Sequence, residues 1–212
     1  MTEFFEYVSA NGSELLSQTL RHLFLVSVAV GVAVGIGVPA GIACAHRPRA
    51  AGIALAIANV TQTIPSLAMF GFLIPLPLIG GTDARPAIVA LMLYALLPII
   101  KNTITGLQSI SPAVREAARA MGMTRRQLLW RVELPLSIPV ILAGIRIATV
   151  VSVGTATIAA AAGAEGLGVF IFRGLSTNNE YAMLTGALPA ALLALLLDLV
   201  LSRVEAVLRH DR

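Results

Sequence analysis

The stretch SPAVREAARAMGMTRRQLLWRVELP, residues 111–135, is strongly charged and separates two long apolar parts of the chain. Ser111 is of a type that caps helix amino termini, and Pro112 suits the first helical turn. Gly122 can end such a helix in a left-handed conformation. This stretch therefore predicts a short helix that is too polar for lipid and ends at a glycine.

A second short helix is predicted directly after the glycine. Thr124 and Gln127 have the spacing of a capping box, in which each side chain accepts a hydrogen bond from the other residue's backbone. Pro135 is expected to end this helix, because the residue before a proline disfavours the helical conformation. The two helices together predict a helix-glycine-helix elbow within a loop that spans residues 108–136.

The first of these helices has one narrow apolar face. Its members recur at the i, i+3, i+4 and i+7 spacing, as Val114, Ala117, Ala118 and Met121. The charged side chains that project from other faces are Arg115, Glu116 and Arg119. This pattern is typical of a helix that a partner protein contacts outside the membrane.

The rest of the chain is too apolar for a soluble globule. Of its 212 residues, 57% are hydrophobic and only 12% are charged. A soluble protein of this composition would leave more apolar surface exposed than its polar residues could cover. No linker-like or low-complexity tract divides the sequence, so residues 1–212 are predicted to form a single, all-α, polytopic helical membrane domain.

The apolar stretches predict about five spans, because a bilayer core about 30 Å thick needs about 20 helical residues. They cover residues 23–45, 51–78, 86–107, 137–162 and 181–207. Polar residues around Pro65 interrupt the second stretch, which predicts a broken helix or two half-helices, and in the latter case six spans. A broken backbone at this depth needs protein or a water-filled cavity to satisfy its polar groups.

Lysine and arginine are distributed unequally over the flanks of these spans, and cytoplasmic loops hold the excess in membrane proteins. One side carries Arg47, Arg49, Lys101, Arg115, Arg119, Arg125, Arg126, Arg131, Arg203, Arg209 and Arg212, and the other carries Arg21, Arg85 and Arg173. With five spans, this distribution predicts an amino terminus outside and a cytoplasmic elbow and carboxyl terminus. It also explains the net charge of +4 more simply than nucleic-acid binding does.

The sequence lacks the patterns that catalysis or nucleotide binding would need. The only lysine, Lys101, follows a proline and two isoleucines rather than P-loop glycines, and it is expected to snorkel towards the cytoplasmic surface. His22, His46, His210 and Cys44 have no zinc-binding spacing, and neither HExxH nor GxSxG occurs. We expect no catalytic residue, no metal site and no bound cofactor, so energy from ATP would have to come from a separate subunit.

Within the charged loop, Glu116-Ala117-Ala118 is followed by Gly122 and then, twelve residues later, by Leu134-Pro135. This spacing, in a basic loop between spans, resembles the EAA motif in permease subunits of binding-protein-dependent ABC importers with the type I fold. Similarity to the osmoprotectant branch, which imports glycine betaine, choline, carnitine and related quaternary amines, extends over almost the whole chain. Its other segments begin at Thr61 (TQTIPSLAMFGFLIPLPLIG), Ala95 (ALLPIIKNTITGL) and Gly154 (GTATIAAAAGAEGLGVFIFRGL), with Glu165 standing where the pattern usually has glycine.

The resemblance implies that the loop forms coupling helices seated in a groove of an ATPase subunit. The residues that it assigns to this contact are Arg115, Glu116, Ala117, Ala118, Arg119, Met121, Gly122, Leu134 and Pro135. It further implies two permeases, identical or related, together with two ATPase subunits that bind Mg-ATP and a receptor outside the membrane. A permease for methionine or another small solute is one alternative, and a secondary transporter that uses Asp198 without ATP is another.

Polar residues within the spans either line a pathway or form hydrogen bonds between helices. The pathway candidates are Thr61, Thr63, Pro65, Ser66, Phe70, Asn102, Thr103, Thr155 and Thr157. Few aromatic rings are available to hold a quaternary ammonium group, so selectivity is expected to reside in the receptor. The first span contains four glycines at GxxxG-like spacings, Gly31, Gly35, Gly37 and Gly41. These spacings predict close packing against a neighbouring helix.

Arg146 and Asp198 are charged residues inside the fourth and fifth spans. Each lies about ten residues, or on the order of 15 Å, from the cytoplasmic end of its span. Unpaired charges at this depth are costly. The equal depth therefore predicts an ion pair between the two spans, with a structural role.

Overall fold

The computed structural model describes residues 2–81 and 83–210, except for the side chains of residues 209 and 210. Arg212 and the side chain of Arg209, both counted in the charge distribution, lie outside this part. The helices are α1 (Thr2–Ala10), α2 (Gly12–Ala45), α3 (Pro48–Thr63), α4 (Ser66–Leu73), α5 (Ala84–Gln108), α6 (Pro112–Ala120), α7 (Arg125–Leu128), α8 (Leu134–Ile158), α9 (Gly168–Thr177) and α10 (Glu180–His210). The described residues contain no strand, which confirms the all-α prediction.

Within the described residues, four helical stretches are long and apolar enough to cross a membrane, and they contain α2, α5, α8 and α10. Helices α3 and α4 pass the same test only as a pair, and they are bent by 97° at the break between them. The predicted interruption of the second stretch is therefore present at Ile64 and Pro65, although its last helix ends earlier than expected, at Leu73. About five spans result when the bent pair is counted as one.

Helix α5 is the centre of the bundle. Helices α2 and α8 pack along it, α3 and α4 contact it, and α10 packs against α8 and α9. The largest buried cluster joins α2, α4, α5 and α8 through side chains that include Leu25, Leu91 and Val153. These contacts bury one face of each long helix and leave other apolar faces for lipid or a second protein.

Two of the four glycines in the first span permit close helix packing. A Cβ atom on Gly41 would lie 2.6 Å from the Cβ of Thr103, and one on Gly37 would lie 2.9 Å from a side chain of α5. A Cβ atom on Gly31 or Gly35 would meet no atom of the described residues within 4 Å. The close approach of α2 to α5 therefore depends on Gly37 and Gly41.

The prediction that the second elbow helix stops before Pro135 is wrong. A π-helical turn, Leu129–Glu133, joins α7 directly to α8, and Pro135 lies in the first turn of α8. The backbone N–H of Leu134 donates to the carbonyl of Leu129, five residues earlier. We infer that this wider turn lets the helix continue, because a proline removes a backbone donor and crowds the preceding turn.

Candidate functional site

The charged loop forms the predicted corner between two short helices. Gly122 has a φ of +81°, and a Cβ atom there would meet none of the residues that the structure describes within 4 Å, so conformation rather than space requires a glycine. Thr124 and Gln127 form the capping box, with the Thr124 N–H donating to Gln127 Oε1 at 2.8 Å. Ser111 occupies the cap position of α6 but makes no side-chain cap bond, which corrects that part of the prediction.

The residues expected to contact an ATPase divide into an outward and an inward group. The exposed members are Glu116, Ala117, Arg119, Met121 and Gly122. Ala118 is only 2% exposed and packs inward, and Leu134 and Pro135 are half-buried at the start of α8. The side chain of Arg115 is 19% exposed and is engaged within the chain. The outward group forms the surface of the elbow that a second protein could contact.

Glu133 is a buried acid that anchors the elbow, and its side chain is only 4% exposed. Its Oε1 accepts a hydrogen bond from Arg115 Nε at 2.7 Å, and its Oε2 lies 3.1 Å from His46 Nε2. Arg115 Nη2 also donates to the carbonyl oxygen of Leu107 at 2.6 Å. A buried charge is tolerated when it is paired and hydrogen-bonded, so this cluster fixes α6 to the ends of α2 and α5.

A cavity of about 720 Å³ lies beside the break between α3 and α4. Its lining residues are Gln62, Thr63, Ile64, Pro65, Ser66, Tyr94, Leu97, Pro98, Lys101, Asn102, Ile147, Val151 and Thr155. Those from α5 and α8 recur at helical spacing, so each helix contributes one face. The cavity thus combines a broken backbone with polar and apolar side chains.

Hydrogen bonds between α5 and the broken segment hold that segment in place. Tyr94 Oη donates to the carbonyl oxygen of Ile64 at 2.5 Å, and Gln62 Nε2 donates to the carbonyl oxygen of Tyr94 at 2.8 Å. A helix break leaves backbone carbonyls without intrahelical partners, and lipid cannot supply them. Tyr94 therefore satisfies a carbonyl at the break.

The structure gathers five of the nine pathway candidates at this cavity, namely Thr63, Pro65, Ser66, Asn102 and Thr155. Phe70 and Thr103 are 1% and 0% exposed and pack between helices. Thr61 and Thr157 donate to backbone carbonyls of their own helices and do not line the cavity. Successive residues on a helix point in different directions, so a polar or aromatic type alone did not identify the lining positions.

Arg146 and Asp198 lie in the predicted contact. Arg146 Nε is 3.3 Å from Asp198 Oδ1, and Arg146 Nη1 is 3.3 Å from Glu205 Oε2. Glu205 lies two helical turns after Asp198 on α10, hence on the same face. The predicted pair therefore includes a third residue, Glu205, and the three side chains link α8 to α10.

Ion pairs also join the helices at the opposite end of α2 from His46. Arg21 pairs with Glu165, so the acid that departs from the usual glycine has a partner within the chain. Arg173 Nη2 lies 2.6 Å from Glu14 Oε1, and this carboxylate raises the pKa of the Arg173 guanidinium above its ordinary value. Both pairs tie the start of α2 to the segment that contains α9.

Residues 37–210 match the family described as binding-protein-dependent transport system inner membrane component. The chain belongs to this family. The permease is 46% identical over 204 residues to the osmoprotectant import permease protein OsmW of Salmonella typhimurium, covering 95% of each chain. It is 42% identical to the carnitine transport permease protein OpuCB of Listeria monocytogenes, with 94% of this chain and 90% of that protein covered. It is also 39% identical to the choline transport system permease protein OpuBB of Bacillus subtilis, with 94% and 91% covered.

The permease also resembles a solved structure of the MetNI methionine ABC transporter in an inward-facing conformation. The TM-score is 0.80 at 25% identity, with 92% of this chain and 95% of that chain covered. This likeness, together with the family match, confirms the fold of an ABC transporter permease. The resemblance to the osmoprotectant branch is confirmed by the identity to the three relatives.

The sequence did not predict two features of the permease, namely the contact between Glu133 and His46 and the position of Lys101 in the cavity wall. Glu133 is the single acid in the otherwise basic run RRQLLWRVELP. A lone acid among basic residues is a signal that could have identified it. Its partner His46 lies 87 residues away, and no local pattern predicts their contact. Lys101 was expected to snorkel, yet it lines the cavity.

Proposed function

We propose that this permease is the membrane-spanning subunit of an ATP-driven importer for osmoprotectant quaternary amines. Three relatives at 39% to 46% identity are named for osmoprotectant, carnitine and choline transport. The single observation that carries the coupling role is the elbow, in which a left-handed Gly122 presents exposed residues such as Glu116 and Met121 beyond the ends of the spans. A motor protein needs such a surface to move helices that are embedded in lipid.

In this proposal, residues 1–212 act as one transmembrane domain that binds no nucleotide. Two ATPase subunits bind Mg-ATP and contact the elbows of two permeases, which are identical or related. When the ATPase dimer closes, it displaces α6, and the Arg115–Glu133 contact transmits that displacement to the ends of α5 and α2. The spans then alternate between outward and inward access, and a receptor outside the membrane delivers the substrate.

The proposed topology has the amino terminus outside and the elbow and carboxyl terminus in the cytoplasm. The excess of basic residues around the elbow supports it. A background with Cys44 replaced by alanine allows a test with single cysteines at Ser13 or Arg126. We expect a membrane-impermeant maleimide to label Ser13→Cys in intact cells and Arg126→Cys only after lysis, and the reverse pattern would contradict this topology.

Reconstitution tests the transport function. The permease is co-purified with its ATPase and incorporated into liposomes with ATP inside and the receptor outside, and labelled glycine betaine uptake is measured. We expect uptake that requires both ATP and receptor. Uptake by the permease alone would instead support a secondary transporter. If no ATPase co-purified with the permease, the proposed coupling role would be wrong.

Methionine is the second candidate substrate, because the fold matches a methionine transporter. The identity to that structure is 25%, against 46% to the osmoprotectant permease. Labelled methionine in the same liposomes separates the two proposals. Methionine uptake without uptake of any quaternary amine would favour the second candidate.

A further inference from the structure

Among the described residues, the cavity beside the α3–α4 break is lined by one charged side chain, that of Lys101. The other polar groups of the lining are neutral, and they include the amides of Gln62 and Asn102 and the hydroxyl groups of Tyr94 and Thr155. The lysine side chain ends in an ammonium group with three donors and no acceptor. The fixed charge of the cavity wall in this chain is therefore positive.

This ammonium group is not neutralised by a neighbouring acid. No carboxylate of the described residues lies within 4.0 Å of it, whereas six other basic groups among these residues have such a partner. Lys101 lies seven residues after Tyr94 and one before Asn102, on the face of α5 that lines the cavity. The side chain is exposed towards this space rather than buried between helices.

A quaternary ammonium group is positively charged, as Lys101 is, so Lys101 offers it no electrostatic attraction. A carboxylate gains a charge-assisted contact, which is stronger at a partly desolvated site than in bulk water. Glycine betaine and carnitine carry both groups, whereas choline carries the ammonium group alone. Lys101 therefore offers an attractive contact to the zwitterionic amines that choline cannot make.

We infer that Lys101 contacts the carboxylate of zwitterionic quaternary amines during their passage, so that the permease adds a preference for these over choline to the selectivity expected of the receptor. This inference rests on the proposed function and names its substrate class. Lysine suits a transit position, because it presents a single point charge rather than the two-pronged grip of arginine. Transport requires binding that is strong enough for entry and weak enough for release.

The test uses the complete importer in liposomes, with the receptor and ATPase present. Lys101→Met removes the charge and keeps most of the apolar stem, and Lys101→Arg keeps the charge. Labelled glycine betaine imported per ATP hydrolysed is the main readout, and choline is measured in parallel. Arg203→Met, which removes an exposed positive charge of α10 away from the cavity, serves as the matched control. Receptor-stimulated ATP hydrolysis reports whether each variant assembles and couples.

For Lys101→Met we expect glycine betaine import per ATP to fall about tenfold relative to choline, as the loss of a charged contact predicts. Lys101→Arg is expected to stay within about threefold of the unmodified importer. Unchanged betaine import by Lys101→Met, or an equal fall for betaine and choline, would overturn the inference. An unmodified importer that carries neither amine would instead overturn the proposed function.

Discussion

Arg115 and Glu133, 18 residues apart in the chain, meet in an ion pair of 2.7 Å that joins the first elbow helix to the π-helical turn. Arg115 also donates to the last turn of α5, and Glu133 also contacts His46 after α2. The elbow is therefore continuous with two central helices of the bundle. Arg115 and Glu133 are largely buried in this contact, whereas the side chain of His46 is 51% exposed.

Replacing Glu133 with alanine is expected to destabilise the permease. Arg115 would keep a largely buried charge without a carboxylate, and breaking one partner of such a pair costs about 3 kcal/mol. Equilibrium unfolding of the purified protein in mixed detergent micelles measures the change.

The matched control for this prediction is Arg115→Met combined with Glu133→Met, which removes both charges and keeps apolar volume. It is expected to be more stable than Glu133→Ala, because no unpaired charge remains. If Glu133→Ala unfolds at the same detergent composition as the unmodified permease, the pair does not anchor the elbow.

Gly122→Val is expected to uncouple ATP hydrolysis from uptake. The backbone φ of +81° is unfavourable for residues with a Cβ, at a cost of about 1–2 kcal/mol, and most so for β-branched ones. The corner between α6 and α7 would shift while the spans still insert in the membrane. Membrane fractionation and uptake per ATP hydrolysed measure the two effects separately.

Gly122→Asn is the control, because asparagine tolerates the left-handed region better than other residues with side chains. The open space around Gly122 accommodates either side chain, so conformation is the variable that differs. We expect the Asn variant to retain most of the uptake. Normal uptake by the Val variant would show that the left-handed corner is dispensable.

The elbow was largely predictable because its signals are local. Gly122 and the Thr124–Gln127 capping box each act within a few residues, and the structure has both. The break near Pro65 is local in the same sense. The error at Pro135 arose because a proline rule describes one residue, whereas a π-helical turn spread the disturbance over five residues.

The candidate sites were less predictable, because they depend on which helix faces meet. Asn102 and Thr103 are neighbours of similar polarity, yet one lines the cavity and the other is fully buried against α2. Glu133 and His46 meet only when the ends of α2 and α8 come together. Residue type indicated which positions are candidates for a site. Tertiary packing decided which of these candidates line the cavity or meet each other.

Asp198→Asn alone is expected to change stability by less than about 1 kcal/mol, because Glu205 still pairs with Arg146. Asp198→Asn with Glu205→Gln removes both carboxylates and leaves the arginine unpaired within the membrane. That double variant is expected to lose about 3 kcal/mol, more than the sum of the single variants. Unfolding of all three variants in mixed micelles gives the comparison, and strictly additive losses would contradict a shared triad.

Gly41→Ala is expected to destabilise the contact between α2 and α5. The added Cβ would lie 2.6 Å from the Cβ of Thr103 and 3.3 Å from the Ile100 carbonyl oxygen, so the helices must separate. Such overpacking costs about 1–3 kcal/mol. Gly35→Ala on the same helix is the matched control, because its Cβ meets no atom in the described part of the chain within 4 Å and alanine favours the helix. Unfolding of the isolated permease should therefore show a lower free energy of unfolding for Gly41→Ala than for Gly35→Ala. Equal values would show that α2 and α5 can move apart without a loss of stability.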